Sequence, residues 1–403
     1  MSSTFEVTVR TIDKIWPHPS ADRLELASVG GLAFQLCCQK GIYTVGQKVV
    51  YFPVDSQLPQ WIIDKLGLWG KDEQGNVIRD AAGRVVKTML VGNDQNRLHT
   101  VQLRGEISQG MICPIDEILA DYLTVDIETL TTSGRPGVQP VTPKVFTDGE
   151  DVTVLLGVTK YDAPESILPG AKLLPFPDGV TPFDVESADS NPDVLALLMD
   201  VKVWITEKLE GTNHALVRMP EDGRHAVCSR NNEVQELTEP DESGNPPAKY
   251  PGWEAVRSRY AEPWQVILEQ VPRPEFPSVP VAIRGELIGP GVPKSFYPGH
   301  EPVLRAFAIK VGPNYLDAAD VCMTIPPHMR VPTLAWDVTL REWLAGRTIQ
   351  EASNGKSLLA PDRLREGIVV VPMVEQKVQW KNGSIKRLML KQRSPKYLAN
   401  EKD

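Results

Sequence analysis

Residues 201–219 read Val201-Lys202-Val203-Trp204-Ile205-Thr206-Glu207-Lys208-Leu209-Glu210-Gly211-Thr212-Asn213-His214-Ala215-Leu216-Val217-Arg218-Met219. An apolar strand at 201–206 and a second at 214–219 flank a charged turn that ends in glycine. A lysine at the end of a strand can be held beside a bound nucleotide. Loss of solvation or nearby positive charge then lowers its pKa, and the neutral amine becomes a nucleophile. Taken alone, the Lys208-Leu209-Glu210-Gly211 string also fits a surface lysine in an ordinary hairpin.

Downstream the chain carries an ordered series of short strings. Ser229-Arg230-Asn231 is followed by Arg284-Gly285-Glu286-Leu287-Ile288-Gly289-Pro290-Gly291 and by Arg305-Ala306-Phe307-Ala308-Ile309. Arg365-Glu366-Gly367-Ile368-Val369-Val370 comes next, and Lys391-Gln392-Arg393-Ser394-Pro395-Lys396-Tyr397 closes the series. Strand patterns are expected at 280–288, 303–310, 367–372 and 386–391, with a helix around Trp253 to Gln270. Strands and helices do not alternate strictly, which disfavours a doubly wound parallel sheet. An α+β domain of mainly antiparallel sheets with flanking helices is expected.

Upstream, short alternating runs (5–12, 24–29, 34–38 and 49–54) are separated by turn signals at His18-Pro19-Ser20, at Gly30-Gly31 and from Gly41 to Gly46. A further strand pair is read within 86–114 and a helix near Trp61 to Leu68, giving a small β-barrel of about 120 residues. From roughly 126 to 200 Gly and Pro accumulate, as in a connector and in surface loops. Domains are therefore expected at 1–160 and 161–403. Composition is that of a globular chain, 41% hydrophobic and 24% charged. Cys37, Cys38, Cys113, Cys228 and Cys322 have neither CxxC nor Cys/His spacing, which speaks against a disulfide framework and a zinc site. No apolar run is long enough to span a bilayer and the N-terminus lacks a signal-peptide pattern, so a soluble, cytoplasmic protein is expected. The net charge of -9 is adverse for binding phosphate backbones. Lys377, Lys381, Lys386, Arg387, Lys391, Arg393 and Lys396 partly offset it, interleaved with Trp380 and Tyr397, although a solvated basic strand face would look the same.

The downstream series resembles the nucleotidyltransferase motifs I, Ia, III, IIIa, IV and V of the covalent polynucleotide ligase and capping-enzyme superfamily. Two details favour the RNA ligases. Asn213 stands where DNA ligases and capping enzymes usually carry arginine, and the string 285–291 is close to that of T4-type RNA ligases. His18-Pro19-Ser20-Ala21-Asp22-Arg23-Leu24-Glu25 resembles the opening of OB-fold domains of the tRNA-binding type. A leading OB-like domain, and a chain that ends shortly after Tyr397, look like the Deinococcus-type branch.

The resemblance implies that Lys208 attacks the α-phosphorus of ATP, with Lys391 and Arg393 supplying positive charge at that phosphate and helping to depress the Lys208 pKa. Glu286 is assigned to a ribose hydroxyl and Glu366 to a divalent metal, Mg2+ or Mn2+, both carboxylates being candidate metal ligands. Phe307 would stack on adenine, Arg230 and Asn213 would meet the ribose-phosphate or the RNA 5'-phosphate, and Glu207 would reach the base or cap the turn. The plain readings are exposed strand cations for Lys391 and Arg393, salt bridges for the glutamates and a core ring for Phe307. Arg104-Gly105-Glu106 repeats the string at 284–286, but it precedes Lys208 and is read as coincidence. The expected protein is an ATP-dependent RNA ligase that joins 3'-OH and 5'-phosphate RNA ends through lysyl-AMP and adenylylated-end intermediates. It would act as a monomer on nicked duplex in RNA repair. A DNA ligase, a capping enzyme and a noncatalytic RNA-binding protein on a ligase scaffold are the alternatives.

Overall fold

The computed structural model describes residues 5–32, 34–70, 74, 76–79, 90–91, 96–119, 145–161, 171–220, 222–237, 249–257, 264–271, 279–380 and 383–400. These divide into two compact units: residues up to 161 with 398–400, and residues 171–397. The connector read at 131–143 and the first part of the strand pair read within 86–114 lie outside the described residues.

The first unit is an OB-fold barrel. Strands β1 (Thr8–Pro17), β2 (Leu24–Val29), β3 (Leu36–Gln39) and β4 (Lys48–Phe52) come from the alternating runs, where branched residues pack well on a pleated, half-buried surface. They are followed by β5 (Ser56–Gln57), β6 (Leu90–Val91), β7 (Arg97–Leu98), β8 (Val101–Leu103), β9 (Glu106–Ser108), β10 (Met111–Pro114) and β11 (Thr159–Lys160). The main sheet runs β10-β4-β1-β2-β3. Strand β1 pairs β4 through Thr8–Thr11 and β2 through Ile12–Pro17, with a register shift between Ile12 and Lys14. That irregularity bends the strand so that one sheet can curl on itself. The edges nearly close: Ser108 Oγ accepts from the Cys37 amide at 2.9 Å, Gln35 Nε2 donates to Glu106 at 2.7 Å and Tyr43 Oη donates to the Ile112 carbonyl at 2.9 Å. Ile12, Val29, Leu36 and Val49 fill one apolar layer, and Val9, Phe52, Ile62 and Phe146 belong to another. The helix expected near Trp61 is present at Gln60–Lys65. His18 accepts from the Ser20 amide at Nδ1 and faces the Leu103 carbonyl at Nε2, 3.0 Å in each case, so it pins the first turn of the barrel.

The second unit is rich in sheet, with short helices among the described residues. Its strands are β12 (Ala171–Leu174), β13 (Lys202–Lys208), β14 (Thr212–Arg218), β15 (His225–Cys228), β16 (Glu233–Glu236), β17 (Val281–Ile288), β18 (Val303–Val311), β19 (Asn314–Tyr315) and β20 (Thr333–Thr339). They continue with β21 (Gly367–Pro372), β22 (Lys377–Gln379), β23 (Ile385–Arg387) and β24 (Leu390–Arg393). One antiparallel sheet has the order β12-β16-β15-β14-β17-β18-β19 and another β20-β13-β21-β24. The charged turn after Lys208 therefore carries the chain from one sheet to the other. Trp204 lies in the core beside Leu216, Ile283 and Ile309, whereas Val203 and Ile205 face a separate core with Ile368, Val370 and Leu390.

Two expectations are corrected. The helix expected around 253–270 is two short helices, Pro251–Val256 and Trp264–Gln270, with 258–263 outside the described residues. The strand expected at 386–391 is divided between β23 and β24, because Leu388 and Met389 turn inward to the core between them. All five cysteines are free, and among the described residues no helix is long and apolar enough to cross a membrane.

Candidate nucleotide-binding site

Strand register assembles the centre of the site. Lys208 is the last residue of β13 and lies opposite Gly367, the first residue of β21, so the preceding Glu366 arrives beside it. Lys208 Nζ is 2.6 Å from Glu366 Oε2. Gly367 also faces Arg393 of β24, which places Arg393 Nε 3.3 Å from Glu366 Oε1. Three strands thus carry a cation–carboxylate–cation row. After Lys208 the chain must turn tightly under β17. A Cβ on Gly211 would lie 2.2 Å from the Leu287 carbonyl oxygen, which explains why glycine ends the charged turn. Beyond the turn, Asn213 of β14 pairs with Glu286 of β17 and delivers the second carboxylate.

The electrostatics of this group are set by crowding of carboxylates. Burial pushes Glu286 up to about 8, opposed by Lys208 and reinforced by Glu366 and Glu210. Burial also pushes Glu210 up to about 7, with Glu366 adding to it, while Lys208 and the Tyr397 hydroxyl that donates to its carboxylate pull the other way. For Lys208 burial alone would lower the pKa, but the carboxylates of Glu366, Glu286 and Glu210 outweigh it and hold the amine above its ordinary value. The expected depression by Lys391 and Arg393 is therefore corrected for the protein by itself. Arg393 is turned to Glu366, and Lys391 Nζ lies 3.5 Å from Asp184.

The remaining assigned residues surround this centre. Glu207, one position from Lys208 and on the opposite face of β13, is almost fully buried. Its Oε2 accepts from the Leu358 amide at 2.7 Å, and its Oε1 is buried with no hydrogen-bond partner among the described residues. Asn213 Oδ1 is buried in the same unsatisfied condition. A buried acceptor left without a donor costs free energy, so both oxygens suit a ligand that brings N–H or O–H groups. Arg230 sits in the turn between β15 and β16, with Nη2 3.5 Å from Asp184. Phe307 is the extra residue of β18 at the register shift opposite Arg284 and Gly285, a bulge of the kind that re-aims a side chain. Its ring meets Phe183 at a centroid distance of 5.0 Å.

The C-terminal basic run is not a uniform face. Arg387 makes a two-pronged pair with Glu375 at 2.6 and 2.7 Å, Lys386 pairs with Glu186 at 2.8 Å, and Trp380 is buried in the core. Lys381 lies outside the described residues. Sequence reading assigned no role to Glu210 or Tyr397, although both lie in the quoted strings, and it missed Asp184 altogether. Glu210 carried a signal, since it lies only two residues beyond the lysine. Asp184 carried none, because it falls in a stretch that reads as connector.

Among the described residues no group of three or more His, Cys, Asp and Glu side chains is placed to hold a metal by itself. The donor set is one of carboxylates, and the raised Glu286 and Glu210 show that added positive charge would be favourable there. This fits a hard divalent cation that takes one or two carboxylates and completes its shell with phosphate oxygens and water.

Residues 201–391 match the RNA ligase family model, and residues 6–115 match an OB-fold domain model. No curated protein sequence matches the chain. Among solved structures, an apo form of a Naegleria gruberi RNA ligase is similar at 22% identity with a TM-score of 0.64, covering 99% of each chain. A Naegleria gruberi RNA ligase with AMP and Mn is similar at 23% identity and a TM-score of 0.64, covering 98% of this chain and 99% of that one. A form with ATP and Mn is similar at 23% identity and 0.63, with the same coverage. At this identity the likeness establishes the shared fold.

Proposed function

We propose that the chain is an ATP-dependent RNA ligase in which Lys208 becomes covalently adenylylated. The observation that carries the reading is the placement of Lys208 at a strand end, 2.6 Å from Glu366, within a buried group of carboxylates flanked by Arg393 and Lys391. In the first step Lys208 Nζ forms a bond to the α-phosphorus of ATP and the bond to pyrophosphate breaks. The amine must first lose its proton, and Glu366 is the carboxylate within direct reach. Phosphate charge brought into the site draws on Lys391, Arg393 and Arg230, whose positive charge disperses the charge that develops at phosphorus. Glu286, with Asn213 opposite it, faces the ribose, and Phe307 offers its ring to the base. Mg2+ or Mn2+ would be held by Glu366 and Glu286 and would supply charge neutralisation at the phosphates. AMP then passes to the 5'-phosphate of an RNA end, and attack by a 3'-hydroxyl seals the strand and releases AMP. The OB-fold unit is assigned to gripping the nucleic acid, in keeping with how strand faces of such barrels bind oligonucleotides. The arrangement, a leading OB fold before the catalytic unit, is that of the Deinococcus-type branch. The chain acts as an intracellular monomer sealing nicked duplexes in RNA repair.

Incubation with ATP labelled at the α-phosphate and Mn2+ tests the first step. Wild-type protein retains label, and Lys208→Ala retains none. Label taken from GTP alone would point to a capping enzyme, and no label in the wild type would leave an RNA-binding protein on a ligase scaffold. Nicked duplexes with RNA or DNA on either side of the break then test the substrate: a strict preference for a DNA 3'-hydroxyl overturns the RNA assignment.

A further inference from the structure

Residues 180–189 cross the second unit as a strap fastened along its length. Val180 packs in a small core with Ala215 and Ala282. The Thr181 carbonyl accepts from Arg284 Nη2, and its hydroxyl accepts from Lys310 Nζ at 2.9 Å. Phe183 is buried against Phe307 and Tyr315. The Glu186 carbonyl accepts from the Lys391 amide and the Ala188 amide donates to the Lys391 carbonyl, each at 2.9 Å, so the strap pairs alongside β24. Asp189 accepts from Gln350 at 2.8 Å and from Gln392 at 3.0 Å. Between these fastenings Asp184 presents one carboxylate oxygen to each of two cations: Oδ1 lies 3.5 Å from Lys391 Nζ and Oδ2 lies 3.5 Å from Arg230 Nη2.

We propose that Asp184 is an internal counter-ion of the phosphate-binding cations, bridging Lys391 and Arg230 and competing with an incoming triphosphate for both. The proposal rests on the reading of the site as nucleotide-binding. Three observations support it. The strap is fixed on both sides of Asp184, so the carboxylate is held at the cations rather than sampling them. Its two oxygens address two cations that belong to different sheets, which is how a bridging anion binds. The contacts are long, and the side chains are 27% exposed for Lys391, 39% for Asp184 and 44% for Arg230, so the ion pairs are weak and exchangeable. Phosphate oxygens, which carry more charge and make shorter charge-assisted hydrogen bonds, displace such a carboxylate. Asp184 thus keeps the two cations apart from adventitious anions and sets a threshold that a triphosphate exceeds.

The test is calorimetric binding of inorganic tripolyphosphate to the full-length protein. Asp184→Asn, which keeps the shape of the side chain, tightens binding by about threefold at low salt. The gain shrinks as ionic strength rises and disappears when Lys391→Met is added. Asp184→Ala, checked for an unchanged melting temperature, serves as the second variant and shows the same direction. Binding that is unchanged or weaker in both variants overturns the proposal, as does a wild type that binds no tripolyphosphate. Retention of AMP on Lys208 is measured separately. A protein that binds tripolyphosphate more tightly as Asp184→Asn but never retains AMP keeps the counter-ion and loses the ligase reading. The reverse pattern keeps the ligase and loses the counter-ion.

Discussion

The tripeptide Arg-Gly-Glu occurs twice in this chain, and the two copies have nothing structural in common. At 104–106 it is the tip of the hairpin between β8 and β9. Arg104 has a φ of 45° and is exposed, and Glu106 is tied by Gln35 at 2.7 Å. At 284–286 the same residues run through the middle of β17, with Arg284 completely buried beneath Phe183 and Glu286 among the carboxylates around Lys208. Even the glycines serve different ends. Gly105 supplies a φ of 98° in open space, where a side chain would meet no neighbour but would strain the backbone. At Gly285 a Cβ would come 2.7 Å from the Arg305 carbonyl oxygen, so the residue permits a close approach of β18. Three identical residues make a turn in one place and one wall of the proposed nucleotide pocket in the other. Flanking strands and sheet position decide between the two.

Substitutions at matched positions can break that comparison. The largest effect is expected for the arginines. Arg284→Ala leaves a cavity and strips the Thr181 carbonyl and the Phe183 ring of their partner, destabilising the protein by about 3 kcal/mol or more in denaturant unfolding, whereas Arg104→Ala stays within about 0.5 kcal/mol. Equal costs would mean that the buried guanidinium contributes nothing. Next come the glycines: Gly285→Ala forces β17 and β18 apart and costs about 1–3 kcal/mol, and Gly105→Ala costs about 1 kcal/mol through backbone strain alone. A larger loss at Gly105 would reverse the assignment of steric and conformational roles.

The glutamates give a pH-dependent difference. The folded-state pKa of Glu286, about 8, lies above its unfolded value. The folded state therefore binds the extra proton, and this contribution is fully present below about 4.5 and is lost as pH rises from there through about 8. Glu286→Gln should match the wild type in melting temperature near pH 5 and exceed it near pH 9, by about 2–4 °C for each kcal/mol relieved. Glu106→Gln is the control, and an equal pH-dependent gain there would show that burial at 286 is not the cause.

The motif strings, read in order, named Lys208, Glu366 and Arg393, which the fold brings together at the candidate site, because strand patterns and glycines leave a linear trace. The neighbours of those residues left no such trace. Asp184 reads as connector, and its place beside Lys391 comes from a strap that folds back onto β24. Glu210 lies within the lysine string, yet its raised pKa depends on burial and on Glu366, which is far away in sequence. The basic run from 377 to 396 is broken up in the same way: Glu375 and Glu186 neutralise Arg387 and Lys386 across strands, contacts that counting charges cannot reveal.

The sequence by itself determined the kinds of element and the chemical inventory: alternating strands for a barrel, apolar strands around Lys208, and carboxylates and cations in a fixed order. Those features are local, set by side-chain period and backbone preference, and local forces suffice to announce them. The tertiary structure alone decided which charges meet. Register places Gly367 opposite both Lys208 and Arg393, and that pairing puts Glu366 between two cations and holds the lysine pKa above its ordinary value in the protein by itself. The energy of a charge depends on burial and on neighbours within a few ångströms, and the fold brings those neighbours from strands far apart in the chain.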